Sequence, residues 1–271
     1  MNTDQACLRE AGQGPGVLCL HANASSSAQW RALMDRLAAH FHVLAADGYG
    51  AGKSPPWHRD RPAMLDHEVD LLASALERTG DPCALVGHSY GGAVALVAAL
   101  RRPQRVRAIA LYEPTLFALV DAQSPPPNDA DGIRRAVADA VAALAVGQPE
   151  AAAEHFIDFW MGAGSWARMP EARRSPIAAS IVNVQGWGDA LFNAPVPVAA
   201  LSALRMPVLL MTGSESPASS LGVARILAAQ LARVETIEFQ GLGHMGPVTH
   251  PERVNGAVER FLLLHHRDPA T

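Results

Sequence analysis

The chain has 271 residues, enough for one large domain or for one domain with a substantial insertion. Apolar residues make up 49% of it and charged residues 18%, a core-forming composition that excludes a disordered chain. The formal net charge of −4 argues against nucleic acid as a main partner, because phosphate binding depends on clustered Lys and Arg.

Short apolar runs alternate with segments of helical periodicity along most of the chain. This alternation predicts an α/β fold, a mostly parallel, doubly wound sheet with helices on both faces. In chain order the predicted elements are a strand at 17–21, an amphipathic helix, a strand at 41–47, a helix at 64–80, a strand at 83–88, a helix at 90–102, strands at 106–114 and 206–213, a helix at 217–232, a strand at 234–240 and a helix at 251–264.

The alternation lapses between residues 115 and 200, which we call the cap segment. It contains the breaker cluster SPPPND (124–129), followed by an alanine-rich helix at 131–146. Three of the five tryptophans of the chain lie in it: Trp160, Trp166 and Trp187. We interpret it as a helical cap lying over the sheet. The predicted domains are therefore a core made of residues 1–114 and 201–271 and a cap made of residues 115–200.

The stretch DGYGAGKS (47–54) ends like a phosphate-binding loop, in a Gly-Lys-Ser triplet. That loop also needs a glycine five positions before Gly52, so that its backbone N–H groups can fold around phosphate. Asp47 occupies this position, and its charge would oppose phosphate binding. The sequence therefore predicts a tight glycine turn after a strand, and we expect neither ATP nor GTP to bind there.

Residues 87–91 read GHSYG and match the pattern G-x-S-x-G between a predicted strand and a predicted helix. A serine in this context stands at the tip of a sharp turn, where Gly87 and Gly91 avoid clashes by lacking a Cβ atom. The N-terminus of the next helix directs N–H groups toward developing negative charge. The pattern alone is often a plain glycine turn, but its position between strand and helix predicts that Ser89 is a nucleophile.

With these features the sequence resembles the serine-hydrolase branch of the α/β-hydrolase family over nearly its whole length. LGHMGPVTHPERV (242–254) resembles the loop of the catalytic histidine, with His244 as the base. HANASSSAQW (21–30) resembles the oxyanion segment, with Ala22 in place of the usual glycine. This segment is also similar to that of haloalkane dehalogenases and epoxide hydrolases, whose nucleophile is a carboxylate. DGYGAGKS resembles the family's D-x-x-G-x-G-x-S turn.

The resemblance implies acyl transfer through a covalent enzyme. His244 would take the proton of Ser89, Ser89 would attack a carbonyl carbon, and water would later release the acyl group. The oxyanion hole would be formed by the backbone N–H groups of Asn23 and Tyr90. The Asn23 side chain has a second interpretation, an Asx turn that opens the following helix, and the two roles are compatible.

The acid that partners the histidine is missing from its usual place, three residues after the glycine that ends the penultimate strand. That glycine is Gly213, and the expected position holds Ser216. No aspartate occurs between residues 190 and 243. We predict that Glu113 is the acid, because it ends the strand after the nucleophile helix, where some relatives, including certain dehalogenases, carry the acid. Glu113 also preserves the chain order serine, acid, histidine. The alternatives are Glu215, or a Glu113 that merely lies in solvent at a strand end.

The leading prediction is a serine hydrolase that cleaves a small carbonyl substrate, most simply a carboxylic ester. Two alternatives stay open: a hydrolase of carbon–carbon bonds in diketone-type substrates, and a small-molecule-binding protein of this fold with little turnover. The aromatic residues of the cap segment, including Trp160 and Trp187, either line the substrate pocket or pack the cap onto the core.

The remaining sequence features predict a soluble cytoplasmic protein without metal or cofactor. The three cysteines, Cys7, Cys19 and Cys83, form neither a disulfide framework nor a zinc motif, and no H-E-x-x-H pattern occurs. No signal-like segment opens the chain, and no apolar run reaches membrane-spanning length. The expected partner is a small-molecule substrate, and neither nucleic acid nor a membrane is expected.

Overall fold

The computed structural model describes residues 4–58 and 62–266. The strands are β1 (Leu8–Ala11), β2 (Gly16–Leu20), β3 (His42–Ala46), β4 (Cys83–His88), β5 (Val106–Tyr112), β6 (Val208–Gly213) and β7 (Val234–Phe239). They form one sheet in the order β1-β3-β2-β4-β5-β6-β7. Strand β1 runs antiparallel to β3, and every other neighbouring pair is parallel.

The helices cover both faces of this sheet and fill the cap segment. They are α1 (Arg31–Leu37), α2 (Leu65–Leu71), α3 (Ala73–Arg78), α4 (Tyr90–Arg101), α5 (Ala118–Gln123), α6 (Asp131–Ala145), α7 (Pro149–Met161), α8 (Ser165–Arg168), α9 (Glu171–Ser180), α10 (Val184–Phe192), α11 (Ala218–Gln230), α12 (Gly246–Thr249) and α13 (Pro251–Leu264). Helices α5 to α10 all lie in the cap segment. No helix within the described ranges is long and apolar enough to cross a membrane.

Strand β2 shows why the parallel strands read as continuous apolar runs. All five of its residues are buried, and successive side chains point to opposite faces of the sheet. Leu18 and Leu20 join the hydrophobic cluster that contains α2 and α4. Val17 and Cys19 join the cluster on the other face, which contains α1 and α13. Because both faces are covered, the predicted doubly wound α/β architecture is confirmed.

Three elements differ from the sequence-based expectation. Strand β1 was not expected, since it is a short, half-exposed edge strand without an apolar run. The helix expected at 64–80 is divided into α2 and α3 at Leu72, whose ψ of 0° departs from helical geometry although its N–H still bonds to the Glu68 carbonyl. Strand β5 ends at Tyr112 because Glu113 has a φ of 45°, outside the β region.

The cap segment is helical, as the sequence predicts, and it packs directly on the core. Phe156 of α7 and Trp187 of α10 belong to the same buried hydrophobic cluster as Leu96 of α4. The cluster is therefore continuous from the sheet into the cap segment. Where a domain boundary would lie between core and cap stays a prediction.

Candidate active site

Ser89 lies at the turn between β4 and α4 in a backbone conformation that residues other than glycine rarely adopt. Its φ is 55° and its ψ is −119°. Such a conformation costs on the order of 1–3 kcal/mol and persists only where the surroundings hold it. Here the Ser89 N–H donates to the Tyr112 carbonyl oxygen at 3.0 Å, which ties the turn to the end of the neighbouring strand β5.

The glycines around Ser89 let three backbone segments meet at the turn. A Cβ atom on Gly91 would lie 2.3 Å from the carbonyl oxygen of Leu20. A Cβ atom on Gly87 would lie 2.6 Å from the Cα atom of Gly92. Real Cβ atoms essentially never approach other atoms so closely, so these positions require glycine. The G-x-S-x-G pattern is thus explained by contacts within the turn and with the end of β2.

His244 lies in the loop between β7 and α12 and contacts both Ser89 and Glu113. Its Nε2 atom is 2.9 Å from Ser89 Oγ, and its Nδ1 atom is 2.7 Å from Glu113 Oε2. An ionised carboxylate can only accept hydrogen bonds, so the Nδ1 atom that faces it carries the proton. Nε2 is then free to accept a hydrogen bond from the serine hydroxyl. All three side chains are buried. The structure thus brings the three predicted residues together across 155 positions of sequence.

The Glu113 carboxylate is fully buried and accepts hydrogen bonds on both oxygens. Beside the bond to His244, its Oε1 atom accepts the Gly213 N–H at 2.7 Å and the Ser216 hydroxyl. Burial alone would raise the pKa of this carboxyl, but the hydrogen bonds from His244, Ser216 and Gly213 outweigh burial and lower the pKa. Ser216, at the position where the family usually has its acid, donates a hydrogen bond to the Glu113 carboxylate.

The alternative acid, Glu215, lies away from the histidine. Its side chain is exposed, and in the described ranges it makes no hydrogen bond or ion pair with His244. Only its backbone is engaged, through an N–H bond to the Leu242 carbonyl at 2.9 Å. Of the two predicted candidates, the structure therefore places Glu113 and not Glu215 against the imidazole.

The two predicted oxyanion donors lie on opposite sides of Ser89 in the chain. Asn23 follows β2, and Tyr90 is the first residue of α4. Within the described chain neither backbone N–H donates to another backbone carbonyl. Asn23 also lines the same cavity as Ser89, which we call the nucleophile cavity. Ala22, in the family's glycine position, has no positive φ, so the replacement introduces no strain there.

Comparison with known proteins places this site in its family. A family model described as alpha/beta hydrolase fold matches residues 15–251. The chain belongs to the α/β-hydrolase family. Its relatives include 2-hydroxymuconate semialdehyde hydrolase of Pseudomonas sp., 30% identical over 94% of this chain and 89% of the relative.

Two further proteins resemble the chain over almost its full length. (E)-2-((N-methylformamido)methylene)succinate hydrolase of Acinetobacter baylyi is 23% identical over 96% of this chain and 95% of the relative. The solved structure of 2-hydroxy-6-oxo-6-phenylhexa-2,4-dienoate hydrolase from Rhodococcus sp. superposes with a TM-score of 0.75 at 21% identity, covering 98% of this chain and 96% of that one. The second likeness supports the α/β-hydrolase fold alone.

A relay of hydrogen bonds, buried at His88 and half-buried at Gln29, supports the histidine of this α/β hydrolase, and the sequence does not predict it. His88 Nε2–H donates to the His244 carbonyl at 2.8 Å, while His88 Nδ1 accepts from the Gln29 amide at 3.1 Å. Gln29 in turn accepts the Ala22 N–H at 3.2 Å. Burial first, and then the neighbouring His244, hold the pKa of His88 well below its ordinary value, so the ring stays neutral. The relay thus joins the oxyanion segment to the backbone of the histidine loop.

Side chains of the cap segment close the nucleophile cavity. Trp160 stacks on the His244 ring with centroids 3.9 Å apart and an interplanar angle of 24°. Trp160 and Trp187, the two residues predicted for the substrate pocket, both line this cavity. Thr115, which the sequence analysis did not single out, lines it too, and its buried hydroxyl makes no hydrogen bond within the described residues. The empty space of this cavity, open solvent included, is about 310 Å³.

Hydrogen bonds within the turn at 47–54 and from Ser27 hold this turn in place. Asp47 Oδ1 accepts the Ser27 N–H at 2.6 Å, and the Ser54 hydroxyl donates to the Asp47 carbonyl at 2.8 Å. A Cβ atom on Gly52 would lie 2.0 Å from the Asp47 carboxylate. Asp47 and Ser54 therefore organise a tight turn that presents a carboxylate where a phosphate-binding loop would need N–H groups. No cluster of three or more metal-ligand side chains occurs among the described residues.

Proposed function

We propose that the protein is a serine hydrolase that cleaves a small carbonyl substrate, most simply a carboxylic ester, through an acyl-enzyme on Ser89. The observation that carries the proposal is the unbroken hydrogen-bonded chain from Ser89 Oγ to His244 to Glu113, at 2.9 Å and 2.7 Å. Nucleophile, base and orienting acid in this geometry form the constellation that acyl transfer requires. The intact chain favours an enzyme over a binding protein with little turnover.

In the proposed mechanism His244 Nε2 takes the Ser89 proton while Ser89 Oγ attacks the carbonyl carbon. The carbonyl oxygen gains negative charge and accepts from the N–H groups of Asn23 and Tyr90. Each such donor is typically worth on the order of 10²–10³ in rate. Glu113 stabilises the imidazolium, which then gives its proton to the leaving group. Water, deprotonated by His244, releases the acyl group and restores the serine.

Trp160 is proposed to assist this cycle through its contact with the histidine. Its indole face covers the His244 ring, which becomes a cation after it takes the serine proton. A cation over an aromatic face gains about 0.5–2 kcal/mol, more where water is excluded. The same contact excludes solvent from the base. Ser89 and His244 are 5% and 2% exposed, so a substrate must displace side chains of the cap segment to enter.

A second candidate, hydrolysis of a carbon–carbon bond next to a ketone, is favoured by one comparison. The relative that is 30% identical is called 2-hydroxymuconate semialdehyde hydrolase. Its name gives a semialdehyde, and not an ester, as the substrate. The same triad could serve such a reaction, provided that a proton reaches the departing carbon. The unpaired Thr115 hydroxyl in the nucleophile cavity is available to hydrogen-bond a second polar group of such a substrate.

A substrate panel tests the proposal and separates the candidates. 4-Nitrophenyl esters and lactones of graded acyl length, together with dienol-ketone substrates, are assayed with the wild type and Ser89→Ala. We expect ester turnover in the wild type and its loss by several orders of magnitude in Ser89→Ala. Turnover of the ketone substrates alone would favour carbon–carbon hydrolysis. Ester turnover that survives unchanged in Ser89→Ala would refute the mechanism.

A further inference from the structure

A second cavity adjoins the nucleophile cavity and takes no part in the mechanism described above. It lies between the loops that follow β2 and β3, helix α2, the start of α4 and the cap segment, and its empty space, open solvent included, is about 470 Å³. We call it the Glu68 cavity. Asn23 and Trp187 line both cavities, and Tyr90 and Gly91 line this one. The Glu68 cavity therefore begins at the proposed oxyanion donors, where a substituent of a bound substrate can enter it.

Glu68 places a buried carboxyl group on the wall of this cavity. The residue is 2% exposed, and its Oε2 atom accepts the Tyr49 N–H at 3.1 Å. The carboxyl lies close to the backbone of Gly48, which has no Cβ atom. A Cβ atom added there would lie 3.1 Å from Glu68 Oε2, a tight contact. No Lys, Arg or His forms an ion pair with Glu68 in the part of the chain that the structure describes. A buried carboxyl with so little compensation is rare in proteins.

The Tyr90 hydroxyl lies beside this carboxyl and is also poorly satisfied. Tyr90 is buried, and the contact of its hydroxyl with the carboxyl lowers the pKa of Glu68, but this contact falls outside normal hydrogen-bond geometry. Buried polar atoms without a well-formed hydrogen bond are uncommon in proteins, so this hydroxyl is available to a bound polar group. His21, on the same wall, is different, because Nδ1–H donates to the Ala22 carbonyl and Nε2 accepts the Gly48 N–H.

Most of the remaining wall is apolar and fits a carbon chain, although Asn23, Ser25 and Ser180 also line the cavity. Leu20, Ala46, Leu72 and Val94 line the cavity around the two polar groups. A mainly apolar pocket with a few convergent polar groups is the usual form of a small-molecule site. The Glu68 carboxyl offers an acceptor whether or not it is ionised, and the Tyr90 hydroxyl offers a second hydrogen-bonding atom beside it.

We propose that the Glu68 cavity is a substrate subsite that binds a hydrogen-bond-donating group, a hydroxyl or an amine, carried on an apolar chain attached to the scissile carbonyl. Glu68 accepts from this group, and Tyr90 completes the contact. The proposal rests on the proposed hydrolase activity and adds the class of substrate: functionalised acyl compounds, in preference to plain alkanoyl ones. A site built to bond a polar substituent discriminates against the analogue that lacks it, because its buried polar groups are then left unpaired.

The test uses 4-nitrophenyl esters of unbranched acids that end in methyl, hydroxyl, methoxy or amino groups, in a series of chain lengths. The readout is the ratio of kcat/KM for each ending to that for the methyl ending. We expect a ratio of about ten or more for hydroxyl or amino at one chain length, and no preference for methoxy, which cannot donate. A preference for amino that grows as the pH rises through 7 would identify ammonium as the bound group. A preference for hydroxyl at all pH values would identify the alcohol.

Three variants connect the preference to the cavity. Glu68→Met keeps the length of the side chain but cannot accept a hydrogen bond, and it should bring the ratio toward one. Tyr90→Phe should do the same. Glu68→Gln should retain a preference for hydroxyl, which would show that the position tolerates substitution. Glu215→Gln, an exposed glutamate outside the site, is the matched control and should keep the wild-type ratio. Equal ratios for all endings, a methoxy preference, or a donor preference that persists in Glu68→Met would overturn the proposal.

Binding of uncleavable aryl ethers with the same endings separates this proposal from the hydrolase activity. Titration calorimetry should show tighter binding of the hydroxyl or amino ether than of the methoxy ether to the wild type. If the ethers show this selectivity but no ester is turned over, the subsite stands and the proposed activity fails. If esters are turned over and no selectivity is seen in either assay, the activity stands and the subsite is refuted.

Discussion

Glu113 and Glu68 are both buried, at 0% and 2% exposed, but they lie in environments of opposite character. Glu113 accepts from His244, Ser216 and Gly213, and these bonds lower its pKa in spite of burial. Burial raises the pKa of Glu68 to about 7 and outweighs the Tyr49 N–H and the Tyr90 hydroxyl, which both lower it. Burial alone therefore does not determine the state of a carboxyl; the hydrogen bonds and charges around it decide.

The comparison suggests two different uses for the two groups. A carboxyl that is held ionised by three donors suits the partner of a histidine that becomes charged. A carboxyl that keeps spare acceptor capacity suits the recognition of a ligand. Buried carboxyls whose environments shift their pKa values in opposite directions are suited to different roles. The predictions below test the two environments in order of expected effect.

The largest effect is expected from Glu113→Gln. A glutamine keeps the shape but loses the charge that stabilises the imidazolium, and its amide can force the wrong histidine tautomer. We expect kcat for the best ester to fall by about 10⁴-fold. The control is Glu215→Gln, which should retain wild-type kcat because Glu215 is exposed and does not contact His244. The reverse pattern would show that Glu215 is the acid.

The next effect concerns the pH dependence of stability in Glu68→Gln. The folded-state pKa of Glu68 is raised from 4.5 to about 7, so between these values the folded state keeps a proton that the unfolded chain releases. The wild type therefore loses stability as the pH rises from 4.5 toward 7, whereas Glu68→Gln does not. The free energy of unfolding of Glu68→Gln relative to wild type should increase by up to about 3 kcal/mol between pH 5 and pH 8.

Denaturant unfolding at the two pH values measures this difference. Glu215→Gln serves again as the matched variant, since an exposed glutamate should give the same relative stability at both. If the stability of Glu68→Gln relative to wild type does not change with pH, Glu68 is ionised in the folded protein like an exposed glutamate. The contrast between the two buried carboxyls would then be wrong.

The smallest effect is expected from Ser216→Ala, which removes one of the three donors to Glu113. A hydrogen bond to a charged group contributes about 1.5–3 kcal/mol, and the remaining donors compensate for part of its loss. We therefore expect kcat for an ester to fall about tenfold with little change in KM. Ser216→Thr, which keeps the hydroxyl, should recover most of the activity. Wild-type kcat in Ser216→Ala would show that this donor does not contribute.

The two environments also differ in how well the sequence predicts them. Ser89 could be predicted because a local pattern of glycines, strand and helix specifies its turn. Glu113 could be predicted because the usual acid position holds Ser216 and few other carboxylates fit the chain order. The Glu68 cavity and the relay from Gln29 to His88 could not be predicted, because they depend on packing between segments that are distant in the sequence. Gln29 and His88, for example, are 59 positions apart. Strand β1 was missed because its four edge residues carry no apolar period.

The most direct test of the account is the labelling of Ser89 by a fluorophosphonate, followed by intact-mass and peptide mass spectrometry. Labelling requires a serine activated by its base and acid but no knowledge of the substrate. We predict one adduct per chain, mapped to Ser89, formed at similar rates in the wild type and Glu215→Gln, much more slowly in Glu113→Gln, and not at all in Ser89→Ala. Labelling of another residue, or an undiminished rate in Glu113→Gln, would contradict the Ser89–His244–Glu113 assignment.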